Sequence, residues 1–306
     1  SYNFFTLMLE EATKSMSLEI QGVGISVGSA APDVLFFGPF GETWKTFPDV
    51  PKIHFTGENS PPVEGPNVFL NLGFNHKDMS DDTYLRFPLW ILEIDWFGAD
   101  PDRIQNPKPI PIDRCTNVFP EELELKKKFC AFVVSNPNNP VRNAAFHWLS
   151  MYKQVDSGGA LFNNIGPALA AGPGGGGGEL KKFEFFKDYK FAITYENNSS
   201  PGYCTEKILH AKAAGCIPIY WGDPKINRDF DTGGFISAQH VSSPKELIDL
   251  VSKVDADDAL WKKMASVPAL DEYKRDWTRR TIAECARRVL ARVIKEPFEI
   301  PKFLGA

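Results

Sequence analysis

The stretch from Tyr189 to Trp221 decides the fold; it reads YKFAITYE (189–196), NNSSPGYC (197–204), TEKILHAKAA (205–214), G (215) and CIPIYW (216–221). The first and last segments are short, apolar and rich in β-branched and aromatic residues, which predicts strands. Thr205–Ala214 is predicted as a helix, with Thr205 as N-cap and Gly215 as the residue that ends it. Strand, helix and strand in so few residues form a βαβ unit, so the chain is expected to be an α/β protein with a parallel sheet.

A second strand and helix of the same kind precede this unit. FCAFVVS (129–135) predicts a buried strand, Asn139 and Pro140 predict an N-cap and a first helical residue, and DSGG (156–159) predicts a tight loop after the helix. Other predicted elements are strands over Val23–Val27, Val34–Phe37, Ile53–Phe55 and Asn67–Phe74, a helix opened by a capping box over Ser243–Glu246, and a helix over Asp276–Lys295. The arginine-rich face of that last helix is expected to be solvated or interdomain.

Composition bounds the class of protein. The 306 residues suggest two domains, and the net charge of −5 argues against binding nucleic acid by bulk positive charge. There is no run of about 18–20 apolar residues, so no membrane span is predicted in this chain. The five cysteines include no C-x-x-C pair and the five histidines show no metal-ligand spacing, which favours a reducing compartment and argues against a zinc site.

Two predicted helices begin with a residue of unfavourable charge. Arg142 and Lys207 fall in first turns, where the helix dipole favours acids, and each follows a strand of the predicted parallel sheet. A bound anion would resolve both violations, and two cations from neighbouring loops fit a diphosphate, with Glu206 placed to accept hydrogen bonds from a ribose diol. The alternative is that each cation turns to solvent or pairs with a nearby carboxylate.

At these residues the sequence resembles the GDP-fucose-dependent α1,3/1,4-fucosyltransferases, glycosyltransferase family 10, and in particular the bacterial members. The resemblance is carried by YENNSSPGYCTEKIL (195–209) and IPIYWG (217–222), by SNPNNPVRNA (135–144) with DSGG after it, and by FTGENSP (55–61) followed by YLRFPL (84–89). It implies an α/β chain of the GT-B fold, in which two Rossmann-like domains face a cleft. The expected domains are an acceptor-binding domain (1–125), a GDP-fucose-binding domain (126–295) and a C-terminal tail (296–306) that packs back on the first domain.

The same resemblance implies roles for individual residues. The general base falls on Glu58, which is expected to act if burial raises its pKa toward neutral. Arg142 and Lys207 would neutralise the diphosphate of GDP. The other donor-binding residues expected are Gly158, Gly159, Asn197, Tyr203, Thr205 and Glu206. Taken without the resemblance, Glu58 in its Gly-Glu-Asn-Ser-Pro context is more typical of a turn.

The implied function is inverting transfer of L-fucose from GDP-fucose to a GlcNAc hydroxyl of an N-acetyllactosamine-type glycan, in α1,3 or α1,4 linkage. The product would resemble a Lewis antigen, as on the O-antigen of a lipopolysaccharide. Two alternatives stay open: a GT-B transferase that uses another nucleotide sugar, and a catalytically silent glycan-binding protein of the same fold. The implied location is the bacterial cytoplasm, with peripheral membrane association through a missing tail, or the Golgi lumen if a eukaryotic anchor was trimmed.

No metal is expected to be required, because the two cations can offset the leaving-group charge, although Mn²⁺ or Mg²⁺ could stimulate the reaction. Three D-x-D sequences, at 100–102, 229–231 and 255–257, are interpreted as surface carboxylates rather than a metal–diphosphate site. The glycine tract Gly172–Gly178 departs from the family pattern and is interpreted as a surface spacer.

Overall fold

The structure, a computed structural model, describes residues 2–13, 32–76, 81–98, 110–167, 169, 178–295 and 297–299. The predicted strand Val23–Val27, most of the glycine tract and most of the tail lie outside the described residues. The chain divides into two compact units, one formed by residues 1–106 and 272–306 and the other by residues 107–271.

The first unit is built on a parallel sheet in the order β1-β2-β3-β4. Its strands are β1 (Leu35–Phe37), β2 (Lys52–Phe55), β3 (Val68–Gly73) and β4 (Tyr84–Arg86), and a short strand β5 (Ile94–Asp95) follows them. Its helices are α1 (Tyr2–Thr13) and α9 (Glu272–Val293), with 3₁₀ turns at Thr43–Thr46 and Leu89–Glu93. Strands β1, β2 and β4 are buried along their whole length, as expected for parallel strands covered on both faces.

The second unit contains a parallel sheet in the order β11-β10-β9-β7-β8. The strands of this unit are β6 (Ile110–Pro111), β7 (Lys128–Phe132), β8 (Val155–Ser157), β9 (Tyr189–Ile193), β10 (Ile217–Tyr220) and β11 (Ile236–Ser237). The helices are α2 (Ile112–Thr116), α3 (Pro120–Leu123), α4 (Pro140–Ser150), α5 (Gly178–Phe186), α6 (Lys207–Ala213), α7 (Pro244–Asp255) and α8 (Asp258–Ala265), with 3₁₀ turns at Ile226–Arg228 and Thr232–Gly234. The α/β class with parallel sheets is confirmed.

Several predicted helix ends are confirmed by their hydrogen bonds. The side chain of Asn139 accepts from the Arg142 N–H at the start of α4, and that of Ser243 accepts from the Glu246 N–H at the start of α7. Gly215 follows α6 with φ +75°, the left-handed conformation that ends a helix. These are local signals, and the local sequence was enough to find them.

Two local predictions are wrong. Thr205 is not an N-cap: α6 begins at Lys207, and the Thr205 hydroxyl donates instead to the buried carboxylate of Glu196. Asp156 and Ser157 are not loop residues, because they belong to β8 at the edge of the sheet beside β7. In both cases a tertiary contact overrides the preference of the short segment.

The compact units have boundaries that differ from the predicted 125/126 division. Residues 107–125 join the second unit, where the Arg114 guanidinium on α2 donates to the carbonyl of Ala213, the last residue of α6. Helix α9 joins the first unit, where its Arg288 donates to the carbonyl oxygens of Asp81 and Tyr84 at the start of β4. One arginine of its arginine-rich face therefore contacts the first sheet. No local sequence signal predicts this contact, because its partners are distant in the chain.

Candidate functional site

The two cations predicted to bind an anion lie in one unit, at one edge of its sheet. β7 and β9 are adjacent and parallel, so the loops that leave their carboxyl ends emerge side by side. The first loop leads into α4, which carries Arg142, and the second leads into α6, which begins at Lys207. Loops at this edge are where open α/β sheets bind ligands.

A buried carboxylate, Glu196, lies between the two loops. Its side chain is fully buried at 0% exposed, and its Oε1 accepts from the Thr205 N–H at 2.7 Å. Its Oε2 accepts from the Thr205 hydroxyl at 2.7 Å and from the Lys207 Nζ at 3.1 Å. Gly222 makes room for it, since a Cβ at Gly222 would stand 2.5 Å from the Glu196 Cγ. Glu196 was not among the predicted site residues, although an acid in the YEN stretch, just after a buried strand, is a signal in the sequence.

Lys207 is held by oxygen atoms on several sides. Besides Glu196, its Nζ donates to the Thr205 hydroxyl at 2.8 Å and lies 3.6 Å from Glu206 Oε1. Burial lowers the pKa of Lys207, but the negative charges of Glu196 and Glu206 outweigh it and hold that pKa above its usual value. Without a ligand, Lys207 pairs with carboxylates, as the alternative interpretation expects, and its binding of an anion stays a prediction.

Arg142 has neutral partners instead. Its guanidinium is 1% exposed, donating through Nη1 to the Asn197 Oδ1 at 2.6 Å and through Nη2 to the Asn136 carbonyl at 2.7 Å. Its Nε finds no hydrogen-bond acceptor among the described residues. Burial lowers the pKa of Arg142 while the nearby charge of Glu196 opposes that shift, and the group stays protonated at any physiological pH. Glu196 thus lies close enough to stabilise both cations.

Asn139 ties the two loops together. Its side-chain oxygen caps α4, and its Nδ2 donates to the backbone carbonyls of Glu196 at 2.8 Å and Asn197 at 3.3 Å. Asn139 is 5% exposed. One amide therefore fixes the start of α4 to the first part of the loop that follows β9, a role that the predicted cap alone did not indicate.

Glu206 is partly buried among cations. Lys182 on α5 approaches its Oε1 to 4.0 Å, on the same oxygen that faces Lys207. Burial raises the pKa of Glu206, yet the charges of Lys207, Lys182 and His210 outweigh it and hold that pKa well below its usual range. Three cations, Arg142, Lys182 and Lys207, thus surround two carboxylates, which leaves the site with a local positive charge. Lys182 was not among the predicted site residues.

The remaining predicted donor-binding residues occupy packed positions in the same unit. Tyr203 and Thr205 are buried at 2% and 3% exposed. Gly158 and Gly159 follow β8, and a Cβ at Gly159 would overlap the backbone N and O of Val134. These two steric overlaps explain why residue 159 is a glycine, whether or not a ligand binds there.

Glu58, the predicted base, lies in the first unit on the loop after β2. Thr56 shapes this loop: its hydroxyl accepts from the Glu58 N–H at 3.1 Å, donates to the Glu58 carbonyl at 3.0 Å and bonds the Ser60 hydroxyl at 2.7 Å. The Glu58 side chain is exposed, so the burial that sequence analysis invoked is not found within this unit. The turn interpretation describes its backbone correctly.

In the described part of the chain, no group of three or more His, Cys, Asp or Glu side chains is placed to hold a metal ion. No helix of that part is both long and apolar enough to cross a membrane. The interpretation of the D-x-D residues as surface carboxylates is wrong for Asp229, which is 2% exposed, and for Asp255, whose partly covered carboxylate pairs with Lys153.

Comparison with known families assigns the chain to one of them. A model described as "Glycosyltransferase family 10 (fucosyltransferase) C-term" matches residues 123–287, and one described as "Alpha-(1,3)-fucosyltransferase FucT N-terminal domain" matches residues 2–93. The chain belongs to glycosyltransferase family 10. The site described above lies within the first match and Glu58 within the second.

Individual members of family 10 show how far the likeness extends. The chain is 31% identical to the alpha-(1,3)-fucosyltransferase FucT of Helicobacter pylori over 72% of its own length and 48% of that protein. It is 28% identical to a 3-galactosyl-N-acetylglucosaminide 4-alpha-L-fucosyltransferase of Bos taurus over 49% of its length and 37% of that protein. The chain therefore spans about half the length, or less, of these curated relatives.

Solved structures share the fold. A crystal structure of an α1,3-fucosyltransferase with GDP-fucose matches 97% of this chain and 99% of its own with a TM-score of 0.57 at 21% identity. The expected GT-B fold class is confirmed by this likeness.

Proposed function

We propose that this family 10 chain transfers L-fucose from GDP-fucose to a GlcNAc hydroxyl of an N-acetyllactosamine-type glycan, in α1,3 or α1,4 linkage. The observation that carries the donor half of the proposal is the pair Arg142 and Lys207, held on adjacent loops around Glu196 at the carboxyl edge of the second sheet. The names of the relatives, which act as α1,3- and 4-α-L-fucosyltransferases, support the acceptor half.

In the donor complex, the diphosphate of GDP would bind Arg142 and Lys207. The Arg142 Nε lacks an acceptor, and its other nitrogens bond neutral oxygens that a phosphate oxygen can replace or join. Lys182 adds a third positive charge beside Glu206, whose carboxylate is kept ionised and able to accept hydrogen bonds from a ribose. Asn197 and Tyr203 would contact phosphate, ribose or fucose from the same loop, and Gly158 and Gly159 would let the β8 loop approach the nucleotide.

The reaction would proceed with inversion. The Glu58 carboxylate takes the proton of the acceptor hydroxyl, whose oxygen forms a bond to fucose C1 on the face opposite the phosphate. The bond between C1 and the phosphate oxygen breaks, and the electron pair leaves with GDP. Positive charge on the fucose ring and negative charge on the departing diphosphate both grow in the transition state, so the cations at the diphosphate lower the barrier. Mn²⁺ or Mg²⁺ would be stimulatory rather than required.

Calorimetry with GDP tests the donor site. Arg142→Ala should weaken binding about 10- to 100-fold, because it removes charge-assisted hydrogen bonds to phosphate, and Arg142→Lys should weaken it less. Lys263→Ala, at an exposed lysine on α8 outside the site, is the matched control and should bind GDP as the wild type does. Unchanged GDP affinity in both Arg142→Ala and Lys207→Ala would refute the assigned site.

Turnover assays test the function itself. GDP-fucose should be consumed with N-acetyllactosamine as acceptor, and NMR of the product should show an α1,3 or α1,4 linkage. Turnover of another nucleotide sugar in preference to GDP-fucose would favour a different GT-B transferase. Binding of glycan without turnover of any donor would favour a silent glycan-binding protein. The proposed product is a Lewis-antigen-like chain, as on the O-antigen of a lipopolysaccharide, and the proposed location is the bacterial cytoplasm.

A further inference from the structure

A buried asparagine, Asn71, holds one end of the loop that carries Glu58. Asn71 interrupts the otherwise apolar strand β3, and it is 8% exposed. Its Oδ1 accepts from the Val63 N–H at 2.8 Å, and its Nδ2 donates to the Val63 carbonyl at 3.1 Å. Buried polar groups are stable where they find hydrogen-bond partners, and here one side chain binds both backbone groups of a loop residue.

A histidine on the neighbouring strand fixes the orientation of this amide. His54 on β2 is the register partner of Asn71 on β3, and its Nδ1 lies 3.0 Å from the Asn71 Oδ1. The Val63 carbonyl can accept only from the NH2 group of the amide, so the oxygen faces His54 and the His54 Nδ1 carries the proton and donates. Burial lowers the pKa of His54, which is 1% exposed, and keeps the ring neutral at pH 7.

The other end of the loop is attached to the same strand. The Thr56 N–H donates to the Leu72 carbonyl at 3.0 Å, and the Thr56 hydroxyl bonds both the N–H and the carbonyl of Glu58. Glu58 therefore lies between two attachments to adjacent residues of β3, Asn71 and Leu72. Because its side chain is exposed, the position of Glu58 depends on the backbone that carries it more than on packing around the carboxylate.

We propose that Asn71 is a positioning residue for the transfer reaction, which acts by holding the Glu58 loop, and that His54 keeps the Asn71 amide in the required orientation. A general base acts only within hydrogen-bond reach of the proton that it takes. A loop that holds the base loosely therefore lowers the rate of transfer without weakening the binding of the donor. The proposal rests on the proposed fucosyltransferase activity with Glu58 as base, and it adds the residues that hold the base.

Steady-state kinetics of Asn71→Leu test the proposal. Leucine is similar in size and removes all three hydrogen bonds of the Asn71 side chain. The kcat should fall about 10- to 100-fold, the scale of a displacement of about 1 Å at a reacting group. The KM for GDP-fucose should stay unchanged, because the proposed donor residues belong to the second unit. An unchanged kcat refutes the positioning role and leaves the fucosyltransferase function intact.

Asn67→Gly is the matched control. Asn67 directly precedes β3, its Nδ2 donates to the Pro48 carbonyl at 2.9 Å, and its φ of +58° is one that glycine adopts readily. This variant also removes a hydrogen bond from an asparagine to the backbone of the first unit, but away from the Glu58 loop. It should leave kcat unchanged. An equal loss of kcat in Asn67→Gly and Asn71→Leu would show general destabilisation and refute the proposal.

A double-mutant cycle shows whether Asn71 acts through Glu58. Residues that act as a unit have non-additive effects on the rate. In the Glu58→Gln background, Asn71→Leu should therefore lower kcat little further. The same fold loss in both backgrounds would mean that Asn71 acts independently of Glu58, which refutes the proposal.

Hydrogen exchange measured by mass spectrometry tests the loop attachment without any substrate. Exchange within residues 57–63 should be faster in Asn71→Leu than in the wild type, and unchanged exchange there refutes the attachment. If Asn71→Leu does not fold, His54→Phe is the milder variant: it keeps a ring and removes the Nδ1–H donor, so it should speed the same exchange and lower kcat, and an unchanged kcat refutes the proposal. A wild type that transfers no fucose refutes the function and the positioning role with it, whereas the exchange result reports on the attachment alone.

Discussion

The Thr205 hydroxyl is predicted to stabilise the second unit through the buried carboxylate of Glu196. It donates to Glu196 Oε2 at 2.7 Å and accepts from the Lys207 Nζ at 2.8 Å, at a position only 3% exposed. Thr205→Val keeps the shape of the side chain and removes this hydroxyl. Glu196 Oε2 then keeps only Lys207 as donor, while Oε1 keeps the backbone N–H of residue 205.

The expected loss follows from the charge of the acceptor. A hydrogen bond to a charged group contributes roughly 1.5–3 kcal/mol, more than one between neutral groups. Since 1 kcal/mol shifts the melting temperature of a 150–250-residue domain by roughly 2–4 °C, Thr205→Val should lower it by roughly 3–12 °C. Thr205→Ser keeps the hydroxyl and loses one methyl group, worth about 0.8 kcal/mol, or roughly 2–3 °C.

Differential scanning calorimetry without ligand measures both variants. Thr205→Val should melt well below Thr205→Ser. A Thr205→Val variant that melts within about 1 °C of the wild type, or two variants that lose the same stability, would contradict this prediction. In the first case the Glu196 oxygen has found water or another donor, and in the second the methyl group, not the hydroxyl, is the stabilising part.

Three further predictions concern other sites. Glu58→Gln should reduce transfer to below about a tenth of the wild-type rate, the loss expected for a general base, and leave GDP affinity unchanged in calorimetry; transfer above that level contradicts its role. Burial lowers the pKa of Lys212 to about 8, below the ~10.4 of a lysine in an unfolded chain. The buried charge therefore costs its full stability below about pH 8, and the cost falls as the pH rises toward ~10.4. Lys212→Met should therefore be more stable than wild type at pH 7, by on the order of 2–3 kcal/mol in urea unfolding, with a smaller advantage at pH 9.5; a constant difference would contradict this. Gly159→Ala should destabilise the second unit by about 3 kcal/mol or more, because the new Cβ meets backbone atoms of Val134 that cannot move aside. A variant that unfolds at the wild-type temperature would contradict this and show that the loop relaxes.

How well the sequence predicts each element of this structure depends on whether the interactions that form the element are local or join distant segments. The β9–α6–β10 unit, the Asn139 cap and the Gly215 terminator come from signals within one segment, and all three are found. Arg142 and Lys207 were singled out by a local signal as well, because each violates the charge preference of its own helix, and their role in a site stays a prediction.

What sequence did not predict depends on contacts between distant segments. Thr205 has the composition of an N-cap, but Glu196 nine residues earlier takes its hydroxyl, and nothing local shows that this acid is buried. The assignment of α9 to the first unit rests on contacts such as Arg288 with the Asp81 carbonyl, more than two hundred residues apart. Burial of Glu58 was a condition for its predicted role as base, and its exposure within the first unit could be read only from the structure.

The two cations of the proposed donor site are stabilised differently, and this difference predicts what each would contribute to GDP binding. Lys207 is balanced by Glu196 and Glu206, so removing it leaves a buried carboxylate without its partner, a loss of about 3–5 kcal/mol in typical buried pairs. Arg142 instead bonds neutral oxygens of Asn136 and Asn197, and among the described residues the charge of Glu196 acts on it without a direct ion pair. The charge of Arg142 is therefore the less compensated of the two, and an anionic ligand should gain more from meeting it. Of the two variants tested with GDP, the Arg142 variant should lose more affinity and the Lys207 variant more stability.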